Sequence, residues 1–119
     1  MPLATDQIYD PARALAIAGG RPQLRDATLL GLLELLEDTR GPLGDVAHYA
    51  DDPAAGYEVA HRAVGLARQA AMPALETLLR ALADALESGA LEEAQRLGQC
   101  LPAALAKVRR VLAGGGNPE

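Results

Sequence analysis

Apolar residues recur along this chain at steps of three and four, the repeat of a helix that buries one side. After Pro22, the residues Leu24, Thr28, Leu32, Leu35 and Leu36 make one stripe, widened by Leu29, Leu30 and Leu33. So broad an apolar face suits a central helix. After Pro73, the pattern repeats with Leu75, Leu78, Leu79, Leu82 and Leu86, and Glu76 is placed to pair with Arg80 on the wet side. Between these two, Val59, Ala63, Leu66 and Ala70 mark the inward side of a helix from Pro53 to about Ala70. A last stripe runs through Leu91, Ala94, Leu97, Leu101, Leu105, Val108 and Leu112.

Helix punctuation agrees with the periodicity. Asp10-Pro11 and Asp52-Pro53 are start signals, because the carboxylate caps free backbone N–H groups and proline suits the first helical position. The first predicts a short helix over Pro11 to Ala18, closed by Gly19-Gly20, and Ser88-Gly89 closes the helix that Pro73 opens. Gly41-Pro42 interrupts or bends the leucine-rich helix, and the pattern leaves open whether helix resumes through Val46 to Tyr49. Pro102 sits inside the last stripe with Gly98 four residues before it, which predicts a kink and not a break. The expectation is an all-α fold: an antiparallel four-helix bundle with a short additional N-terminal helix, one domain over residues 1–113, and a disordered tail, GGGNPE, over 114–119.

Composition narrows the function. Eleven basic against 16 acidic residues give a net charge of −5, so the chain as a whole repels polyanions and no nucleic acid partner is expected. Three tyrosines are the only aromatics besides two histidines, and alanine and leucine dominate, as in helices packed on helices. The single Cys100 cannot form an internal disulfide and reads as a small buried apolar residue of an intracellular protein. The start, MPLATDQIYD, has neither a basic n-region nor an apolar h-region, and no run nears the roughly 20 apolar residues of a membrane span. A cytoplasmic protein with no membrane contact is expected.

Chemistry concentrates at one histidine. On the helix from Pro53, the wheel sets His61 opposite the core, with Tyr57, Glu58, Val64, Gly65 and Arg68 beside it. Glycine inside a helix costs about 1 kcal/mol against alanine, and close approach of another surface to His61 would account for that loss at Gly65. His48, by contrast, reads as an ordinary surface residue near a helix end.

The stretch A60-H61-R62-A63-V64-G65-L66-A67 resembles the A-H-x-L-K-G-S-A signature of histidine phosphotransfer (HPt) domains, matching it at Ala60, His61, Gly65 and Ala67. Downstream, M72-P73-A74-L75, the spacing of Leu78 and Leu82, and the LESG ending at Gly89 are similar, without a gap, to the C-terminal HPt modules of BarA-type hybrid sensor kinases. The opening YDPARALAIAGGRPQLRDATLLGLLELL is similar to the first two helices of that group. The chain departs from the pattern where the family has lysine (Val64), serine (Leu66), a second glycine (Ala71) and a polar residue on the following helix (Ala83).

The resemblance implies a phosphorelay protein in two-component signalling that carries a phosphoryl group on His61 between response-regulator receiver domains. It implies a phosphotransfer intermediate without kinase activity of its own. It implies a monomer whose partners are receiver domains and a hybrid sensor kinase, with no cofactor or metal of its own and Mg²⁺ supplied by the receiver. Tyr57, Glu58, Arg62, Val64, Gly65 and Arg68 then form the partner-binding face, with Ala54 at its edge and with Arg62 and Arg68 offsetting phosphate charge in place of the lysine.

Two other readings compete. An HPt-like scaffold could bind a receiver or kinase without phosphotransfer, and Val64, Leu66 and Ala83 argue for it. A di-iron carboxylate bundle is suggested by the paired carboxylate-x-x-His units Asp45 to His48 and Glu58 to His61, with Glu34 and Glu76 as further donors, although the wheel turns Glu58 and His61 outward.

Overall fold

The computed structural model describes residues 9–38 and 41–113, and among them the chain is all-α, with no strand. Its helices are α1 (Pro11–Ile17), α2 (Pro22–Glu37), α3 (Pro53–Gln69), α4 (Pro73–Ser88), α5 (Leu91–Gly98) and α6 (Leu101–Ala113), with a 3₁₀ turn at Val46–His48. The expected tail over 114–119 lies outside the described residues.

The starts and stops follow local chemistry. Asp10 Oδ1 accepts from the Arg13 N–H at 3.1 Å to cap α1, and Asp52 Oδ1 accepts from the Ala55 N–H at 3.1 Å to cap α3. Gly19, Gly20 and Gly89 take positive φ values of 68°, 78° and 78° beyond the ends of α1 and α4. The end of α3 is less expected. There Ala71 has φ 56°, the left-handed region that costs a side-chain-bearing residue about 1–2 kcal/mol. The turn is held by Met72 N–H donating to Ala67 O at 3.0 Å, and by Asp10 N–H donating to Ala71 O at 2.8 Å, which ties the start of α1 to it.

One cluster of buried side chains draws on every helix, and among the described residues no charged side chain is buried. Helix α3 packs on α2 and α4, α2 also on α1 and α6, and α5 on α4 and the 3₁₀ turn. On α4 the predicted stripe is the inward one, with Leu75, Leu79, Leu82 and Leu86 buried and Leu78 packed at the edge. On α2 the buried set is Leu29, Leu32, Leu33 and Leu36, whereas Leu24 and Leu30 stay 48% and 47% exposed. With leucines on most sides of that helix, its neighbours decide which turn inward.

The last stripe corrects a prediction. It is two helices and not one kinked helix, because α5 ends at Gly98 and α6 begins at Leu101. Pro102 has no N–H to give the Gly98 carbonyl, and its ring crowds that carbonyl, so it fits the first turn of a new helix. Ala94 and Leu97 before the break still share the core with Leu101, Leu105 and Val108 after it. Cys100, in the intervening turn, is exposed, contrary to its expected burial.

Candidate functional site around His61

Helix α3 buries Gly56, Ala60, Ala63, Val64 and Ala67, while Val59 and Leu66 are only half-buried at its sides. The helix is therefore turned about its axis from the predicted orientation. Small inward residues let a neighbour come close: a Cβ on Gly56 would lie 3.1 Å from Leu86 Cδ1 of α4 and 3.7 Å from Leu43 Cδ2. That rotation overturns the placing of Val64 on the partner-binding face. It is 8% exposed, because it is the one large apolar side chain on the narrow alanine face and fills the core there.

His61 lies on the opposite, exposed side of α3. Its imidazole stacks on the ring of Tyr57, one turn earlier, with centroids 5.6 Å apart and planes inclined by 18°. Offset aromatic pairs of this kind contribute about 0.5–1.5 kcal/mol beyond their buried area. One turn later, a Cβ on Gly65 would meet no atom within 4 Å, so the surface beyond the imidazole is open. Glu58 and Arg62 are exposed, and among the described residues neither has an ion-pair partner.

Arg68 is exposed and takes part in an ion pair. Its Nε donates to Glu76 Oε2 at 3.1 Å, and Arg80 Nη2 donates to the same oxygen at 2.6 Å. Burial pushes the Glu76 pKa up, but the hydrogen bonds and charges of Arg68 and Arg80 outweigh it and hold the carboxyl below its ordinary value. Arg68 is thus engaged in joining α3 to α4. It also sits seven residues past His61, about 10 Å along the helix axis, which leaves Arg62 as the cation nearer the imidazole. Ala83 on α4 is buried at 4% exposure.

The carboxylate-histidine units do not converge. His48 faces its own Asp45, Nδ1 to Oδ2 3.6 Å, on an exposed 3₁₀ turn that Asp45 also caps through the Ala47 N–H. Glu34 is exposed and Glu76 is held by two arginines. Among the described residues no three His, Cys, Asp or Glu side chains form a group able to hold a metal. A cleft of about 630 Å³ lies where the 43–46 loop meets the α5–α6 turn, lined by Leu36, Leu43, Val46, Leu101 and Leu105, and its lining contains none of the residues around His61.

Two contacts escaped the sequence reading. The Tyr57–His61 stack has a signal, an aromatic four residues before the histidine on one helix face. Arg68 to Glu76 has none, since the pair meets across a turn between helices. Among the described residues, no helix is long and apolar enough to cross a membrane. Comparison with family models, with curated proteins and with solved structures finds no match for the chain.

Proposed function

We propose that this protein is a histidine phosphotransfer domain, with His61 as the residue that carries the phosphoryl group between receiver domains. In this reading α2, α3, α4 and the broken α5–α6 pair are the four arms of an antiparallel bundle. The supporting observation is an exposed imidazole on α3 that stacks on Tyr57 and has open space at Gly65. No cleft is needed, because the partner closes over the ring.

The chemistry asks little of the chain beyond a presented nucleophile. The Nε2 lone pair of the neutral imidazole attacks phosphorus of a receiver phosphoaspartate. The N–P bond forms as the P–O bond breaks, the leaving electron pair returns to the aspartate carboxylate, and the phosphoimidazolium gives its Nδ1 proton to solvent. Reversal onto a second receiver completes the relay. The receiver brings its acidic pocket and Mg²⁺, while Arg62 offers a guanidinium to the transferred group and Tyr57, Glu58 and Gly65 lie on the docking face.

The test mixes the protein with a panel of phosphorylated receivers. Acid-labile label on the wild type and none on His61→Gln supports the relay. A second reading is a scaffold that binds receivers without accepting phosphate. It is favoured by the burial of Val64, which stands one turn after His61 where the family has a lysine, by the burial of Ala83, and by the engagement of Arg68 with Glu76. Complex formation with unlabelled wild-type protein would select it.

A further inference from the structure

We propose that Tyr57 is a positioning residue for His61: its ring holds the imidazole in one orientation on the exposed side of α3, with the ring edge left clear for a partner. This rests on the reading of His61 as the phosphoryl acceptor. Among the described residues His61 has no hydrogen-bond partner, although an exposed imidazole that must present one nitrogen is usually oriented by a bond to the other. Glu58, three residues before it, does not pair with it. The contact that remains is the stack, with 5.6 Å between centroids and 18° between planes.

The geometry suits the task. Side chains on a helix lean toward its N-terminus, so the imidazole lies over the turn that carries Tyr57 and away from the turn that carries Gly65. Tyr57 is itself partly buried against the core, so the platform is fixed from below. This offset stack flanks one face of the imidazole, whereas the attacking lone pair lies in the ring plane. Tumbling is therefore restricted while the reacting edge stays clear, and a receiver meets an oriented nucleophile instead of a freely rotating one.

Magnetic resonance of the wild-type protein reads the orientation without any phosphodonor, and exposed His48 is the internal control. The carbon-bound ring protons of His61 are expected upfield of those of His48, to remain so in Tyr57→Phe, and to fall back to the His48 position in Tyr57→Leu. The kinetic arm uses phosphoramidate in a His48→Gln background. There Nε2 attacks phosphorus, ammonia leaves with the P–N electron pair, and the imidazolium proton passes to buffer. Tyr57→Phe should react with phosphoramidate at the parent rate and Tyr57→Leu about two- to tenfold more slowly, and a phosphorylated receiver serves as the second donor to the wild type.

Coincident His61 and His48 signals in the wild type would overturn the proposal. So would a Tyr57→Leu protein that melts as a folded domain yet accepts phosphate at the parent rate. Displaced His61 signals in a wild type that takes phosphate from neither donor would keep the stack but remove the phosphotransfer reading, and with it the role assigned to Tyr57.

Discussion

The ring of Tyr49 occupies the space that a side chain at Gly98 would need. A Cβ on Gly98 would lie 2.6 Å from Val46 Cγ1 and 2.9 Å from Tyr49 Cε2, and would overlap the Tyr49 hydroxyl. Tyr49 is 1% exposed and cannot swing into solvent, so α5 sits against the 3₁₀ turn only because position 98 has no side chain.

Gly98→Ala should therefore destabilise the protein. Overpacking a filled site costs about 1–3 kcal/mol, more than the roughly 1 kcal/mol that alanine gains over glycine in a helix. Urea unfolding should show a net loss of up to about 2 kcal/mol. In a Tyr49→Leu background the same change should cost less, since the two residues compete for one space.

Gly65→Ala should do the opposite. No atom lies within 4 Å of the added methyl, so the helix gains about 0.5–1 kcal/mol of stability, measurable in the same unfolding experiment. On the proposed phosphotransfer function, transfer from a phosphorylated receiver should slow because the methyl would stand in the proposed docking surface. Reaction with phosphoramidate should not change.

Glu76→Gln should weaken the joint between α3 and α4 by about 0.5–1 kcal/mol, the range for exposed ion pairs with two partners. Because Arg68 and Arg80 hold the folded carboxyl below its ordinary value, this contribution is present above the unfolded-state pKa and is lost as pH falls through the folded one. Carboxyl-carbon titration of Glu76 should shift upward in Arg68→Ala.

Tyr49 should make the fold sensitive to alkali. Burial, with a smaller push from Asp45, raises its pKa to about 12. The folded state then keeps a proton that the unfolded chain, titrating near 10, gives up. Stability contributed by the neutral phenol is complete below the unfolded value and declines as pH rises through the folded one. Tyr49→Phe should remove that part of the alkaline loss at little cost elsewhere, because the hydroxyl gives only a long 3.4 Å bond to Leu43 O. Tyrosinate absorbance followed with denaturation at fixed pH checks both statements.

Local chemistry was legible from the residues alone. Asp10, Asp52, Pro22, Pro73 and Gly89 act on the backbone within one turn of themselves, so the starts of α1 to α4, the stops of α1 and α4, and an exposed His61 midway along α3 needed no knowledge of neighbours. What depended on neighbours was not legible. In helices this rich in alanine and leucine several rotations bury similar apolar area, so only packing placed Val64 inside, left Leu24 and Leu30 outside and set the small face of α3 against Leu86. The same holds for the break before Pro102, where Gly98 meets Tyr49, for the left-handed turn at Ala71, and for Arg68, whose partner Glu76 lies on another helix. Caps and prolines work through bonds to the adjacent backbone, whereas rotation, breaks and ion pairs between helices are settled by which distant surfaces fill one shared interior.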